Sequence, residues 1–381
     1  MCQIPPNNHG NEVKIGLTLT IKLSYMKNKI LIIAAIPSFF YACSGDPNSG
    51  QKNKDTNNTT NISNELQKQA QEIFKVLPTA AINENNPGTP EKVALGKLLY
   101  FDTRLSKTGH NSCNSCHDLN KFGVANEAFS TGDAGKLGGR NSPTTFNAAL
   151  HISQFWDGRA KDVEEQAGMP IMNPVEMAIP DKAFLEKRLA AIPLYQNQFK
   201  AAFPNEKAPL NYKNMANAIA SFERTLLTPS AFDVYLAGDE KALNKEEKEG
   251  LKVFINTGCT ACHNGTGIGG GQLMKFGLLN DYRPLTGSKN GDNGLMDQTK
   301  KESDKDVFKV PGLRNIVKTF PYFHDGSVKS LPTAVKIMAK VQLNKDLNEA
   351  EINSIVKFLG SLTADIPEDV KKVPIELSKA L

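Results

Sequence analysis

Cys113-Asn114-Ser115-Cys116-His117 and Cys259-Thr260-Ala261-Cys262-His263 follow one pattern, Cys-x-x-Cys-His. Each copy has two thiols at the spacing that forms thioethers with the vinyl groups of a haem. Each also has an adjacent His able to bind the iron axially. Cys113, Cys116 and His117, and again Cys259, Cys262 and His263, are therefore expected to hold two covalently bound haem c groups. Two readings compete. Four thiolates could form a zinc site, but that idles both histidines and needs a clip across residues 117–258. A thioredoxin-type redox pair needs a βαβ setting, and nothing here alternates strand and helix.

A chain of 381 residues suggests two domains of ordinary size, and 40% hydrophobic content is enough for packed cores. The 45 Lys and Arg against 40 Asp and Glu give a formal charge of +5. Haem propionates would bring the loaded protein closer to neutral. With no long Lys/Arg run either, no nucleic-acid partner is expected. The cysteines outside the two motifs are Cys2 and Cys43, so no disulfide framework is needed. Met26-Lys27-Asn28-Lys29 reads as the basic start of an export signal, and Ile30 to Tyr41 as its apolar stretch, too short to span a membrane. Phe40-Tyr41-Ala42-Cys43 resembles a bacterial lipobox. It implies cleavage before Cys43 and lipidation there, hence a membrane-anchored lipoprotein facing the periplasm. The alternative is an ordinary signal peptide with an incidental Cys. Met26 then competes with Met1 as the start. Residues 44–61 are polar and read as a flexible tether.

Helical patterns dominate the remainder, and the expected fold class is all-α. Ile62, Leu66, Ile73 and Phe74 share one face, with Pro78 ending the run. Thr89-Pro90 caps and opens a helix through Leu99. Met215, Ile219, Phe222 and Leu226 repeat at helical spacing. Asn244 and Glu247 form a capping pattern ahead of Leu251, Phe254 and Ile255. Pro332 opens a helix through Met338, and Ile352, Ile355, Val356, Leu359 and Leu362 form an amphipathic stripe. Each haem motif follows a helix containing a glycine, Gly96 or Gly250, which suggests two cytochrome c-like modules. The expected organisation is an upstream and signal segment (1–43), the tether (44–61), a first haem domain (62–227) and a second (228–363). A tail, 364–381, is available to rejoin the first. Residues 123–145 and 264–312 are long irregular stretches of the kind that wrap a ligand.

The text between and after the motifs is specific. Arg140-Asn141-Ser142-Pro143-Thr144 is followed by Phe155-Trp156-Asp157-Gly158-Arg159-Ala160, Glu165-Gln166-Ala167 and Asn173-Pro174-Val175-Glu176-Met177. Later come Pro311-Gly312-Leu313-Arg314-Asn315 and Pro321-Tyr322-Phe323-His324-Asp325-Gly326. From about Glu91 to Thr363 the chain resembles the bacterial di-haem cytochrome c peroxidases. The resemblance implies reduction of hydrogen peroxide to water. The electrons would come from a small periplasmic carrier, a reduced monohaem cytochrome c or a cupredoxin. It implies that the His117 haem meets peroxide and the His263 haem receives electrons, with Met338 as the latter's sixth ligand. Taken alone, Met338 is more ordinary as core filler. The resemblance further implies Glu176 as the acid–base residue, Gln166 as a peroxide-binding partner, and Trp156 between the haems. Alone, Glu176 reads as a surface carboxylate and Trp156 as a core aromatic. By resemblance too, Asn141, Thr319 and Pro321 hold a calcium ion, and a homodimer is a common assembly.

One departure from the resemblance concerns resting control. Many relatives have a His eight residues before the Asn of Arg-Asn-Ser-Pro, which caps the resting iron; here that place is Asp133. A carboxylate is a poorer haem ligand than imidazole, so dependence on prior reduction is in doubt. His110 reads as a loop residue and His151 as a satisfied structural histidine. Two other functions share the motifs. A MauG-like di-haem oxidase of a protein substrate would carry Tyr in place of Met338. A non-enzymatic di-haem electron-transfer cytochrome would leave Glu176 without a task.

Overall fold

The computed structural model describes residues 65–289 and 291–379. The export signal with Cys43 and the tether lie outside the described residues. The fold is helical, with one two-stranded ladder among the described residues. The helices that build it are α1 (residues 65–73), α2 (Pro90–Phe101), α3 (Val163–Met172), α4 (Tyr212–Glu223), α5 (Lys245–Thr257), α6 (Leu331–Leu343) and α7 (Glu349–Gly360). No helix among the described residues is long and apolar enough to cross a membrane.

Two helix crossings organise two cores. Thr89 caps α2, its hydroxyl accepting from Lys92 N, and Pro90 supplies the preset backbone of the first turn. The helix buries Leu95, Leu98 and Leu99 among Met215, Ala218 and Ile219 of α4. Contact is so close that a Cβ on Gly96 would lie 1.9 Å from the Ala218 carbonyl oxygen. The second crossing repeats the first. Asn244 and Glu247 close a capping box on α5, which ends at left-handed Gly258. Leu251 and Phe254 pack on Ile355, Phe358 and Leu359 of α7. A Cβ on Gly250 would lie 2.0 Å from the Ser354 carbonyl oxygen. The repeat expected from the two glycines is therefore one of packing: each glycine lets two backbones touch. Leu226 and Leu362 lie beyond the helices they were expected to extend, yet both stay buried in the cores.

The first expected domain needs correcting at its start. Residues 65–77 pack on the second core, not the first. Ala70 and Phe74 join Phe232, Tyr235 and Leu251. Gln67 donates to the Tyr235 carbonyl at 2.8 Å, and Leu77 N to Asp233. Asp233 is held in turn by a bidentate, buried Arg314 at 2.7 and 2.8 Å. After residue 363 the chain returns to the first half, where Ile366, Val370 and Leu377 pack on Tyr100, Phe101, Leu119 and Phe222. The ladder pairs β1 (Leu273–Lys275) antiparallel with β2 (Val307–Lys309), Leu273 opposite Lys309. It ties the irregular 264–312 stretch to Trp156, whose carbonyl accepts from Lys309 N at 2.7 Å.

Candidate active site

Both Cys-x-x-Cys-His segments form single tight turns, Cys113–Cys116 and Cys259–Ala261, with all four cysteines free. Each histidine N–H donates back to the first Cys carbonyl, at 2.9 Å for His117 and 3.0 Å for His263. The thiols and the imidazole are thereby gathered on one turn. His117 Nδ1 lies 2.8 Å from the Pro143 carbonyl oxygen. A carbonyl can only accept, so Nδ1 carries the proton and Nε2 is left with its lone pair for a metal. Tyr100 donates to the His117 carbonyl at 2.7 Å and steadies the same turn.

His263 is buried, and burial pushes its imidazole down to about 4, the carbonyls of Ile268 and Pro311 opposing. It is neutral, the form a metal binds. A large apolar cavity is lined by Cys259, Cys262, His263 and Met338 together, with Phe254, Leu343 and Leu359 from α5, α6 and α7. Met338 thus shares a cavity with the second histidine. Four thiols in two turns, an oriented imidazole, a neutral one and an apolar cradle are what two haem c groups require. The donor sets fit.

Glu176 sits in a turn built from the end of α3. Asn173 caps that helix, its Nδ2 donates to Glu176 Oε1 at 2.8 Å, and its Oδ1 accepts from Val175 N at 3.0 Å. Burial raises the Glu176 carboxyl above its ordinary value, while the charge of Arg159 and the Asn173 hydrogen bond pull it back. Arg159, stacked 3.5 Å over the Phe155 ring and paired with Asp157, lines one cavity with Glu176, Asn173 and Tyr212. The Glu176 charge is near enough to Cys116 of the first turn to help raise that thiol, after burial. Gln166 is half-buried on α3 and is not among the residues lining that cavity.

The 130–138 loop closes against this turn. Gly132 lies so near that a Cβ there would stand 1.8 Å from the Val175 carbonyl oxygen, and Asp133 N donates to the Glu176 carbonyl at 2.7 Å. The Asp133 carboxylate is occupied elsewhere: it accepts from Thr108 N at 2.8 Å and Thr108 Oγ1 at 2.7 Å. Against the upward push of burial, these bonds hold it below the usual carboxylate range. His110 is exposed and meets the same Thr108 hydroxyl. His151 differs from expectation: its Nδ1 is buried with no partner, and its ring lies against Gly267, Gly270 and Gly312.

Trp156 lines the His263 cavity, and so does Pro143, whose carbonyl holds His117. Trp156 Nε1 donates to the Asn141 carbonyl at 2.8 Å. Asn141, Thr319 and Pro321 all line the same cavity. Asn141 Nδ2 donates to the Glu127 carbonyl at 2.9 Å, which leaves its Oδ1 turned to other use. Among the described residues no donor reaches the carbonyl oxygens of Thr319 or Pro321. Sequence reading missed roles for Arg159, Asn173 and the Pro143 carbonyl; the first two stood in quoted motifs, but a backbone carbonyl has no sequence signal.

Comparison with known proteins agrees in both halves. The family model described as di-haem cytochrome c peroxidase matches residues 90–241, and the cytochrome c model matches residues 247–363. The chain is 45% identical over 299 residues to a cytochrome c551 peroxidase of Nitrosomonas europaea, covering 78% of this chain and 87% of that one. It is 44% identical over 306 residues to a cytochrome c551 peroxidase of Pseudomonas aeruginosa, covering 79% and 87%. Among solved structures, a MauG-like protein associated with microbial copper homeostasis superposes with a TM-score of 0.68 at 26% identity, covering 79% of this chain and 98% of that one.

Proposed function

The chain belongs to the di-haem cytochrome c peroxidase family, and from that membership we propose that it reduces hydrogen peroxide to water with electrons from a small reduced carrier, a monohaem cytochrome c or a cupredoxin. The observation that carries this reading is the pairing of an oriented His117 with a half-buried, raised-pKa Glu176 beside the same turn. When bound, two haem c groups supply the iron redox chemistry. The chain supplies everything else.

Glu176 accepts the peroxide proton and returns it to the departing oxygen, a task that a carboxyl raised above its ordinary value suits. Asn173 fixes one of its oxygens, and Arg159 favours the ionised form. Gln166 offers an amide to peroxide. Met338 would help His263 hold the second haem's iron, and a thioether suits a haem that must accept electrons from outside. Trp156 lies on the route between the two, supported by its place in the shared cavity wall. Asn141, Thr319 and Pro321 hold calcium where the two halves meet. The body faces the periplasm, anchored through lipid on Cys43, and a homodimer is the expected assembly.

Pyridine haemochrome analysis after acid-acetone extraction should return about two covalent haems per chain, followed by peroxide-dependent oxidation of a reduced cytochrome c. A chain with both haems that leaves peroxide untouched would defeat the proposal.

A further inference from the structure

The cavity of His263 and Met338 is lined mostly by apolar side chains. Lys309, at the end of β2, is 6% exposed and lines it. Its Nζ donates to the Ser153 carbonyl at 2.9 Å, the one acceptor among its described hydrogen bonds. An ammonium has three donors, so two are left over. The described ion pairs give Lys309 no carboxylate. The negative group it senses, Asp157, is already bound by Arg140 at 2.6 Å and Arg159 at 2.9 Å. Beside it, Ser153 Oγ and His151 Nδ1 are also buried without partners, and His151 lines the same cavity. His151 and Lys309 are close enough that their charges oppose each other.

Two orphaned polar atoms and an ammonium with one acceptor for three donors are costly in one corner. A buried polar atom without a partner keeps its desolvation cost, and a buried cation without a counter-charge keeps a larger one. A wholly apolar occupant would leave that cost standing. An anion at this corner removes it, and the occupant implied by the adjoining Cys259–His263 turn carries two carboxylates on its rim.

We propose that Lys309, with His151 and Ser153 beside it, forms an anion subsite that takes one propionate of the haem bound by His263. The inference rests on the di-haem reading above. Burial alone pushes the Lys309 amine down to about 7, and a carboxylate arriving in contact opposes that push. An ionised pair at the haem rim then helps to set that haem's potential. Lys309 is thus a positioning residue for the electron-entry haem, acting through the propionate.

The test begins with the haem count of the wild-type chain, which decides the di-haem reading separately. Given two haems, the midpoint potentials of Lys309→Met and Lys309→Arg are measured by spectroelectrochemistry. Loss of the cation leaves the propionate charge unopposed and favours ferric iron. The His263 haem should therefore fall in potential in Lys309→Met and recover most of the difference in Lys309→Arg, with the His117 haem unmoved in both. A Lys309→Met protein with both haems attached and both potentials unchanged overturns the proposal; water would then fill the corner. A second measurement needs no variant. With propionate-labelled haem in the wild type, reducing the high-potential haem should perturb the infrared band of an ionised, buried carboxylate. Only solvent-exposed propionate bands would refute the subsite.

Discussion

At the scale of single residues, Glu176 carries the largest wager. Its backbone position is set by the turn from Asn173 to Glu176, and its proton affinity by a contest between burial and Arg159. Glu176→Gln keeps the size and the Asn173 contact but cannot take a proton. The variant should retain two haems and bind cyanide normally while kcat/KM for peroxide drops by roughly a hundredfold or more, the usual scale of acid–base help. Full activity would remove Glu176 from the chemistry. The pH dependence has a sign. A raised carboxyl loses its base form at a higher pH than an ordinary Glu, near 4.3. The acid limb of kcat/KM should lie above that value. Arg159→Gln removes the charge that opposes the shift, so the limb should move further toward neutral; movement toward acid would contradict the assignment. Glu176 was legible only through the resemblance, since a lone Glu in sequence is a surface residue. The haem turns needed no such help, because their chemistry is local to five residues.

At the scale of elements, the two glycine crossings let magnitudes decide between two effects. Ala in place of Gly inside a helix gains about 1 kcal/mol of propensity. At Gly250 the new Cβ would stand 2.0 Å from the Ser354 carbonyl and 2.9 Å from Phe358 Cβ. The helices must part, and overpacking of a tight core costs about 1–3 kcal/mol, occasionally more. Urea unfolding of holo Gly250→Ala should show a loss near the upper end of that range; a gain would mean the crossing can give. The 130–138 loop makes the opposite kind of element, held by hydrogen bonds and not by apolar packing. Thr108 ties up both Asp133 oxygens, and Gly132 butts against Val175. With no imidazole at this place and the carboxylate engaged, the first haem should rest open or water-bound. Electron paramagnetic resonance of the oxidised protein should show a high-spin ferric signal, and peroxide turnover should start without a reductive lag. A wholly low-spin spectrum with a lag abolished by pre-reduction would mean another residue caps the iron. Helices were legible because capping boxes and apolar periodicity are local: Thr89, Asn244 and Glu247 act where the sequence suggests. Where α1 packs was not, since an apolar face does not say which core will cover it.

At the scale of the whole molecule, the halves are joined by polar groups that no periodicity announces. Arg140 binds Asp292 through two nitrogens at 2.6 and 2.7 Å and Asp157 through a third at 2.6 Å. Asp157 is 1% exposed and also receives Arg159 and Gln298. Next in sequence, Asn141 N donates to the His324 carbonyl at 2.7 Å, and its own carbonyl takes Trp156 Nε1. Residues 140–141 therefore fasten the segment after the first haem turn to the 292–324 stretch after the second. Their side chains come from loops tens of residues apart, which is why sequence offered the motif but not the joint. The joint has a pH signature. Burial pushes Asp292 up, but hydrogen bonds and charge from Arg140 outweigh it and hold the carboxyl below its ordinary value. A depressed folded-state pKa contributes stability that is present above the unfolded value, near 3.9, and lost as pH falls through the folded one. Arg140→Met removes that contribution and leaves Asp292 without its cation, while Asp157 keeps Arg159 and Gln298. Breaking one side of a buried pair costs about 3–5 kcal/mol. At neutral pH the holoprotein variant should lose stability on that scale in urea. The Asp292 carboxyl, left with only the Gly294 N–H and the His324 charge against burial, should now titrate higher than in the wild type. The variant should then be relatively less destabilised at pH 4, where that carboxyl can take a proton, than at pH 7. A deficit under about 1 kcal/mol at pH 7, or one that grows toward acid, would show that Arg140 does not hold the two halves together.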